Sequence, residues 1–117
     1  MILNLFSNVF WKKRSPSNSL TAVAAKSRFD AGALGIDVRE TSEWKSGHIG
    51  ASRHIPLATL TDALASIPRD RDVVLICASG FRSSRACNLL KRNGFATVYN
   101  LAGGVSAWQS AGLPLFR

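Results

Sequence analysis

A cysteine stands where an apolar run changes into a basic pattern of helical period. Residues 72–77 read DVVLIC, and a glycine-containing turn then leads to Arg82 and to the segment SSRACNLLKRNG at 83–94. The small residues after Cys77 allow successive backbone N–H groups to turn inward as an anion-binding nest, with the positive end of the helix pointing at the same spot. Arg82 adds a fixed charge and a forked donor. The pattern predicts a thiol that ionises easily and reacts as a nucleophile, whereas a buried apolar cysteine ending a strand is the simpler alternative.

The surrounding elements alternate between strands and helices, which predicts an α/β fold. Apolar runs predict strands at 34–38, 72–77 and 96–101, with a brief extended piece at 53–56. Helical patterns cover 20–29, 40–47, 59–67, 83–94 and 105–112. Such alternation gives right-handed crossovers and a mainly parallel central sheet with helices on both faces. Ligands bind beyond the carboxyl ends of the strands in these sheets, and Cys77 stands at such an end.

Composition favours a single domain in a reducing compartment. The 117 residues are 46% hydrophobic, which is enough for a real core, and only two are cysteines, Cys77 and Cys87. Two cysteines are too few for a disulfide scaffold, and no His and Cys cluster has the spacing of a zinc site. We therefore expect free thiols, no zinc site and a cytoplasmic location.

The first 18 residues differ from the rest, and we interpret them as an amphipathic, basic arm and linker before a domain at 19–117. Apolar residues recur at helical spacing in MILNLFSNVFW, and a Pro- and Ser-containing linker follows at 13–19. The segment is too short to span a bilayer, and its charges follow the apolar run instead of preceding it, so export is not expected. It either packs on its own domain or a second copy, giving a homo-oligomer, or makes peripheral contact with a membrane.

The high positive charge does not by itself predict a nucleic-acid partner. The net charge is +8, and five of the fifteen bases precede the first acid, Asp30. The arm carries no recognition motif, and the aromatic residues are not interleaved with the bases. We therefore do not expect nucleic acid to bind.

Four blocks in order resemble the single-domain form of the rhodanese family of sulfurtransferases. They are IDVRE at 36–40, EWKSGHIGASRHIPL at 43–57, VVLICASGFRSSRA at 73–86 and VYNLAGGVSAW at 98–108. The resemblance covers about residues 20–115. It implies the three-layer rhodanese-like fold and a reaction without metal or organic cofactor.

The resemblance also implies a role for each part of the loop. Cys77 would carry a sulfane sulfur as a persulfide, taken from a small anionic donor such as thiosulfate and passed to cyanide, a thiol or a protein acceptor. The anion and the persulfide would be held by the loop residues Ala78, Ser79, Gly80, Phe81, Arg82 and Ser83. Ala78 and Phe81 are apolar where thiosulfate-preferring members often carry bases, which leaves the donor open.

Other chemistries remain as alternatives. Cysteine-based phosphatases place five residues between Cys and Arg, whereas four separate Cys77 from Arg82, so a phosphatase or arsenate reductase is the weaker interpretation. A noncatalytic rhodanese-fold binding module is the other alternative, although inactive members typically lose the cysteine. Cys87 is interpreted as a packed residue, and a redox role for it stays open.

Residues outside the loop are expected to support the site or the core, and the sequence departs from the family pattern at one place. Asp37 and Arg39 are expected to form an internal ion pair near the cavity, and His48 to orient a turn, as in the family. Trp44 is expected in the core. The family's opening strand is poorly matched by SPSNSLTAV, so that edge strand is expected to be missing or supplied by the arm.

Overall fold

An all-parallel sheet of five strands organises residues 18–117, the part of the chain that the computed structural model describes. The strands lie in the order β1-β5-β4-β2-β3, so β4 is central. They are β1 (Ser19–Leu20), β2 (Leu34–Asp37), β3 (Ser52–His54), β4 (Val73–Ile76) and β5 (Val98–Leu101).

Helices cover both faces of this sheet. They are α1 (Ala22–Asp30), α2 (Thr41–Ser46), α3 (Leu60–Ala63), α4 (Phe81–Arg92) and α5 (Gly104–Ser110), and 3₁₀ turns at Leu57–Thr59 and Leu64–Ser66 flank α3. The buried apolar residues of α3 and α4 belong to one core cluster, and those of α1 and α5 to another. The short helix α2 buries no residue and follows the carboxyl end of β2.

The central strand explains why the chain needs two apolar layers. Val73, Leu75 and Cys77 belong to the core cluster beneath α4, while Val74 and Ile76 belong to the one beneath α1 and α5. A strand buried on both faces is apolar at every position, as the run at 73–77 is. The predicted fold class, a three-layer α/β domain with a mainly parallel sheet, is therefore confirmed.

Three sequence expectations were wrong in detail. The edge strand is neither missing nor supplied by the arm, because Ser19–Leu20 pairs with β5 as β1. The helix expected at 59–67 is one α-helical turn between two 3₁₀ turns. Leu60 and Ile67 are the two buried residues of that segment, so little apolar packing supports a longer regular helix. Trp44 is half-buried at the surface instead of in the core.

The arm predicted at 1–18 lies, apart from Asn18, outside the described residues, so the boundary between arm and domain stays a prediction. In the described part of the chain, no helix is long and apolar enough to cross a membrane.

Candidate active site

The loop between β4 and α4 wraps its hydrogen-bond donors around the Cys77 sulfur. Gly80 caps α4 in the left-handed region, at φ 108°, and its N–H donates to Cys77 Sγ at 3.0 Å. One helical turn later, the Ser83 hydroxyl lies 3.2 Å from the same sulfur. A glycine adopts this φ without strain, so the chain can turn its N–H groups inward before the helix begins. The predicted nest is therefore present, with the sulfur as its centre.

These donors make the thiol more acidic than an ordinary cysteine. Cys77 is 1% exposed, and burial is the strongest single influence on its pKa, which it raises. The Ser83 hydroxyl and the backbone N–H groups of Ser83, Gly80 and Ser79 act the other way, and together they hold the pKa below its usual value. The thiolate is thus stabilised by fixed donors in a site with little water.

The beginning of α5 supports the loop from beneath. The N–H groups of Val105 and Ser106 donate to the carbonyls of Cys77 at 2.8 Å and Ala78 at 3.2 Å. Gly104 has φ 58°, and a Cβ there would lie 2.3 Å from the Cys77 carbonyl oxygen. Only glycine permits this close approach between α5 and the loop that follows β4.

Arg82 faces a carboxylate instead of the interior of the loop. Its Nη1 and Nη2 donate to Glu43 Oε1 and Oε2 at 2.8 and 2.9 Å, which is a bidentate ion pair with each side chain about one-third exposed. Hydrogen bonding by Arg82 lowers the pKa of Glu43 to about 2. The sequence predicted a forked donor free for an anion, and in the structure Glu43 occupies that fork.

Asp37 and Arg39 form the expected ion pair and brace α2. Arg39 Nε and Nη2 donate to the Asp37 carboxylate at 2.9 to 3.1 Å, and both side chains are buried. Arg39 Nη2 also donates to the Gly47 carbonyl at 2.7 Å, just beyond the end of α2. The arginine thus connects the two ends of α2, the helix that carries Glu43. Asp37 and Arg39 thus hold α2 in place and are not among the donors to the Cys77 sulfur described above.

His48 belongs to an aromatic stack on α2 and the following turn. Its ring lies 3.5 Å from the Trp44 ring in a parallel stack, and its Nδ1 lies 3.0 Å from the Trp44 carbonyl. His54 stacks against Trp44 as well and has its Nε2 2.7 Å from the Arg39 carbonyl. His48 therefore has the turn-orienting position that was expected. No group of three or more His, Cys, Asp or Glu within residues 18–117 could hold a metal ion.

The remaining loop and cysteine side chains divide between surface and core. Phe81 is 81% exposed at the first position of α4, and Ala78 and Ser79 form the outer part of the loop. Cys87 is a free thiol buried beneath α4, and burial raises its pKa. Cys87 thus has the properties of a packed residue, as the sequence indicated.

Two residues of the site were missed by sequence reasoning. Glu43 holds Arg82, and Asn100 on β5 accepts a hydrogen bond at its Oδ1 from Ser83 Oγ at 2.5 Å. A polar residue near the carboxyl end of a buried strand is a signal that could have found Asn100. Nothing local could have found Glu43, because its partner lies 39 residues along the chain.

Comparisons with known proteins agree with this geometry. The model of the Rhodanese-like domain family matches residues 21–111. A sulfurtransferase of Allochromatium vinosum is 40% identical over 80 residues, which cover 68% of this chain and 75% of that protein. The thiosulfate sulfurtransferase GlpE of Stutzerimonas stutzeri is 35% identical over 80 residues, covering 68% and 73%.

A solved structure extends the similarity to the backbone. The crystal structure of a rhodanese-related protein from Thermoplasma volcanium matches with a TM-score of 0.79 at 30% identity, covering 85% of this chain and 97% of that one. The whole described sheet and its helices therefore follow a known arrangement.

Proposed function

Because the chain belongs to the rhodanese-like domain family, we propose that it is a sulfurtransferase in which Cys77 carries the transferred sulfur as a persulfide. The donor is a small anionic sulfane-sulfur compound such as thiosulfate, and the acceptor is a thiol, a protein thiol or cyanide. The relatives named sulfurtransferase and thiosulfate sulfurtransferase support the reaction class.

The proposed reaction has two displacements at sulfur. The Cys77 thiolate attacks the outer sulfur of thiosulfate, an S–S bond forms, and the original S–S bond breaks as sulfite leaves with its electron pair. The outer sulfur then carries the negative charge. In the second step the acceptor attacks that sulfur, and Cys77 departs as a thiolate ready for another cycle.

The observation that carries this proposal is the convergence of donors on the Cys77 sulfur. The Gly80 N–H at 3.0 Å and the Ser83 hydroxyl at 3.2 Å lie where negative charge is present in both the thiolate and the persulfide. Fixed donors aimed at a charged atom stabilise it without reorganisation during the reaction. A noncatalytic docking platform has no need of a buried thiol of lowered pKa, so this feature favours the enzyme over the binding module.

Loop length argues against the phosphatase alternative. Four residues separate Cys77 from Arg82, and the guanidinium of Arg82 is occupied by Glu43. A phosphate ester needs several free donors around three oxygens, whereas a terminal sulfur needs fewer. The cradle therefore suits a sulfur atom better than a phosphoryl group.

The direct test is intact-protein mass spectrometry of the full chain after incubation with thiosulfate. We expect the protein to gain the mass of one sulfur atom, to lose it again on addition of cyanide, and to release sulfite in equal amount. Peptide mapping should place the added sulfur on Cys77.

Two cysteine variants make this test specific. Cys77→Ser should gain no sulfur, while Cys87→Ser, the matched control for thiol content, should gain as much as the unmodified chain. A sulfur that persists in Cys77→Ser, or that appears only on Cys87, contradicts the proposal.

A further inference from the structure

Ser83 has one hydroxyl hydrogen and two acceptors within reach. Its Oγ lies 3.2 Å from Cys77 Sγ and 2.5 Å from Asn100 Oδ1. A serine hydroxyl donates one hydrogen bond only, so the sulfur and the amide oxygen compete for the same hydrogen. The acceptor that holds it determines how well the sulfur can carry negative charge.

The neighbouring carbonyl sets the orientation of the Asn100 amide. The Nδ2 atom of Asn100 lies 3.4 Å from the carbonyl oxygen of Gly80, which can only accept a hydrogen bond. Rotating the amide would place Oδ1 against that oxygen and leave two acceptors facing one another. Asn100 therefore keeps its Oδ1 towards Ser83 whether Cys77 is a thiol or a thiolate.

We propose that Asn100 is a positioning residue that draws the Ser83 hydroxyl hydrogen away from the Cys77 sulfur. When Cys77 is a thiol, its S–H can donate to Ser83 Oγ while Ser83 donates to Asn100, so every hydrogen has an acceptor. When Cys77 is a thiolate, the sulfur has no hydrogen to give and must share the single hydrogen of Ser83. The arrangement thus favours the thiol form of Cys77, whereas the backbone N–H donors of the loop favour the thiolate.

This opposition suits a residue that must both attack and leave. A thiolate becomes a weaker nucleophile as its pKa falls, although more of it is present. The nest alone would push Cys77 towards a more abundant but less nucleophilic thiolate. By holding back one donor, Asn100 preserves the nucleophilicity needed for loading. The inference rests on the proposed role of Cys77, but its test observes the thiol directly.

The charged groups around the loop form a constant background for that test. On the elements packed near the sulfur they are Arg82 on α4, Glu40 and Glu43 at α2, and the ion pair between Asp37 at the end of β2 and Arg39 just beyond it. On β5 the one titratable residue is Tyr99, which lies on the opposite face beneath Arg28, and α5 contains none. Neutral substitutions at position 100 leave all of these charges in place.

The experiment is alkylation of the full chain by iodoacetamide as a function of pH, with peptide mass spectrometry reporting Cys77. Asn100→Leu removes the competing acceptor and should lower the pKa of Cys77 by about 1 to 2, as expected for one hydrogen bond to a charged atom. Asn100→Ala removes the same acceptor without adding a charge and should lower the pKa of Cys77 in the same direction. Since alanine is smaller than asparagine, Asn100→Ala supplies a result even where Asn100→Leu fails to fold.

Two controls separate positioning from general loosening. Asn88→Leu changes another amide in the same polar cleft, which has a volume of about 190 Å³, and should leave the pKa of Cys77 unchanged. In a Ser83→Ala background, Asn100→Leu should have no effect, because no hydroxyl hydrogen remains to redirect. An unchanged pKa of Cys77, a raised pKa in either Asn100 variant, or a persistent effect without Ser83 would overturn the inference.

The outcome is independent of sulfur transfer. If the Asn100 variants shift the pKa as expected but thiosulfate leaves no sulfur on Cys77, the inference stands and the proposed function fails. If sulfur is transferred and the pKa of Cys77 is the same in the Asn100 variants, the proposed function stands and the inference fails.

Discussion

At the scale of single residues, the pairing of Arg82 with Glu43 determines the charge of the site. Nη1 and Nη2 of Arg82 both donate to the carboxylate of Glu43. Glu43 Oε1 also accepts from the Glu40 N–H at 2.9 Å, at the beginning of α2. The pair therefore joins α4 to α2 and neutralises the arginine beside the loop. A doubly charged anion entering the loop therefore meets less positive charge than the Cys-to-Arg spacing alone suggests.

Glu43 should make the stability of the protein depend on acid. Its pKa is about 2 in the folded protein, well below the ordinary value of 4.5, so the ion pair stabilises fully above pH 4.5 and loses its effect as the pH falls towards 2. We expect Glu43→Gln to lower the free energy of unfolding by about 1 kcal/mol at pH 6, a modest value because the pair is one-third exposed. Urea denaturation measures this difference.

The pH dependence itself is the decisive part of that measurement. At pH 3 the gap between the unmodified chain and Glu43→Gln should be smaller than at pH 6. Asp62→Asn, which changes a carboxylate in the first turn of α3, serves as the control. A gap for Glu43→Gln that is constant or widens towards pH 3 would show that the ion pair does not stabilise the fold.

At the scale of elements, α5 and the loop between β4 and α4, residues 77–80, form one unit. The N–H groups of Val105 and Ser106 hold the carbonyls of Cys77 and Ala78, so the amino end of α5 fixes the backbone from which the nest is built. Helix N-terminal N–H groups have no partners inside the helix, and here the loop carbonyls supply them. Any change that separates α5 from the loop should therefore disturb the Cys77 sulfur as well as the fold.

Gly104→Ala should break this contact. The new Cβ would meet the Cys77 carbonyl oxygen at 2.3 Å, and alanine at φ 58° is strained in addition. We expect a loss of about 2 to 4 kcal/mol in the free energy of unfolding, together with slower alkylation of Cys77 at neutral pH.

Gly112→Ala is the matched control for backbone strain. Its φ is 79°, and nothing lies within 4 Å of the position of a new Cβ. It should cost about 1 to 2 kcal/mol and leave Cys77 reactivity unchanged. Equal losses in the two variants, with equal Cys77 reactivity, would mean that the contact between α5 and the loop is unimportant.

At the scale of the whole molecule, the arm is the part with the most apolar sequence to cover. Large side chains at positions 2, 5, 6, 9, 10 and 11 are each worth roughly 1.5 to 3 kcal/mol when buried, which together exceed the ordering cost of a short helix. The domain has an apolar groove of about 260 Å³ between α1, α5 and the carboxyl-terminal segment, where Phe116 is 54% exposed.

We predict that residues 2–11 dock on a folded domain, their own or that of a second copy. A chain beginning at Ser15 should then melt at a lower temperature than the full chain, and it should have a smaller mass by light scattering if the arm joins two copies. Anionic vesicles added to both chains test the membrane alternative, which Lys12, Lys13 and Arg14 would support. If both chains are monomeric, equally stable to heat and indifferent to vesicles, the prediction is wrong.

Local pattern was sufficient for the fold class, for the buried strands β2 and β4, and for the position of Cys77 in the fold. The apolar runs at β2 and β4 and the glycine turn before α4 are contiguous, and each is recognisable because burial and backbone geometry act on neighbouring residues. The sequence thereby placed Cys77 at the carboxyl end of a central strand, within reach of the Gly80 N–H and Ser83.

The tertiary structure alone decided which groups surround Cys77. Glu43 meets Arg82 across 39 residues, and Asn100 meets Ser83 across 17. The edge strand β1 exists because Ser19 and Leu20 find unpaired backbone groups on β5, not because their own pattern predicts a strand. Such contacts depend on the spatial order of the strands in the sheet, which the residue types along the chain do not specify. The same arginine could therefore have been a free anion ligand, whereas here it is half of an ion pair.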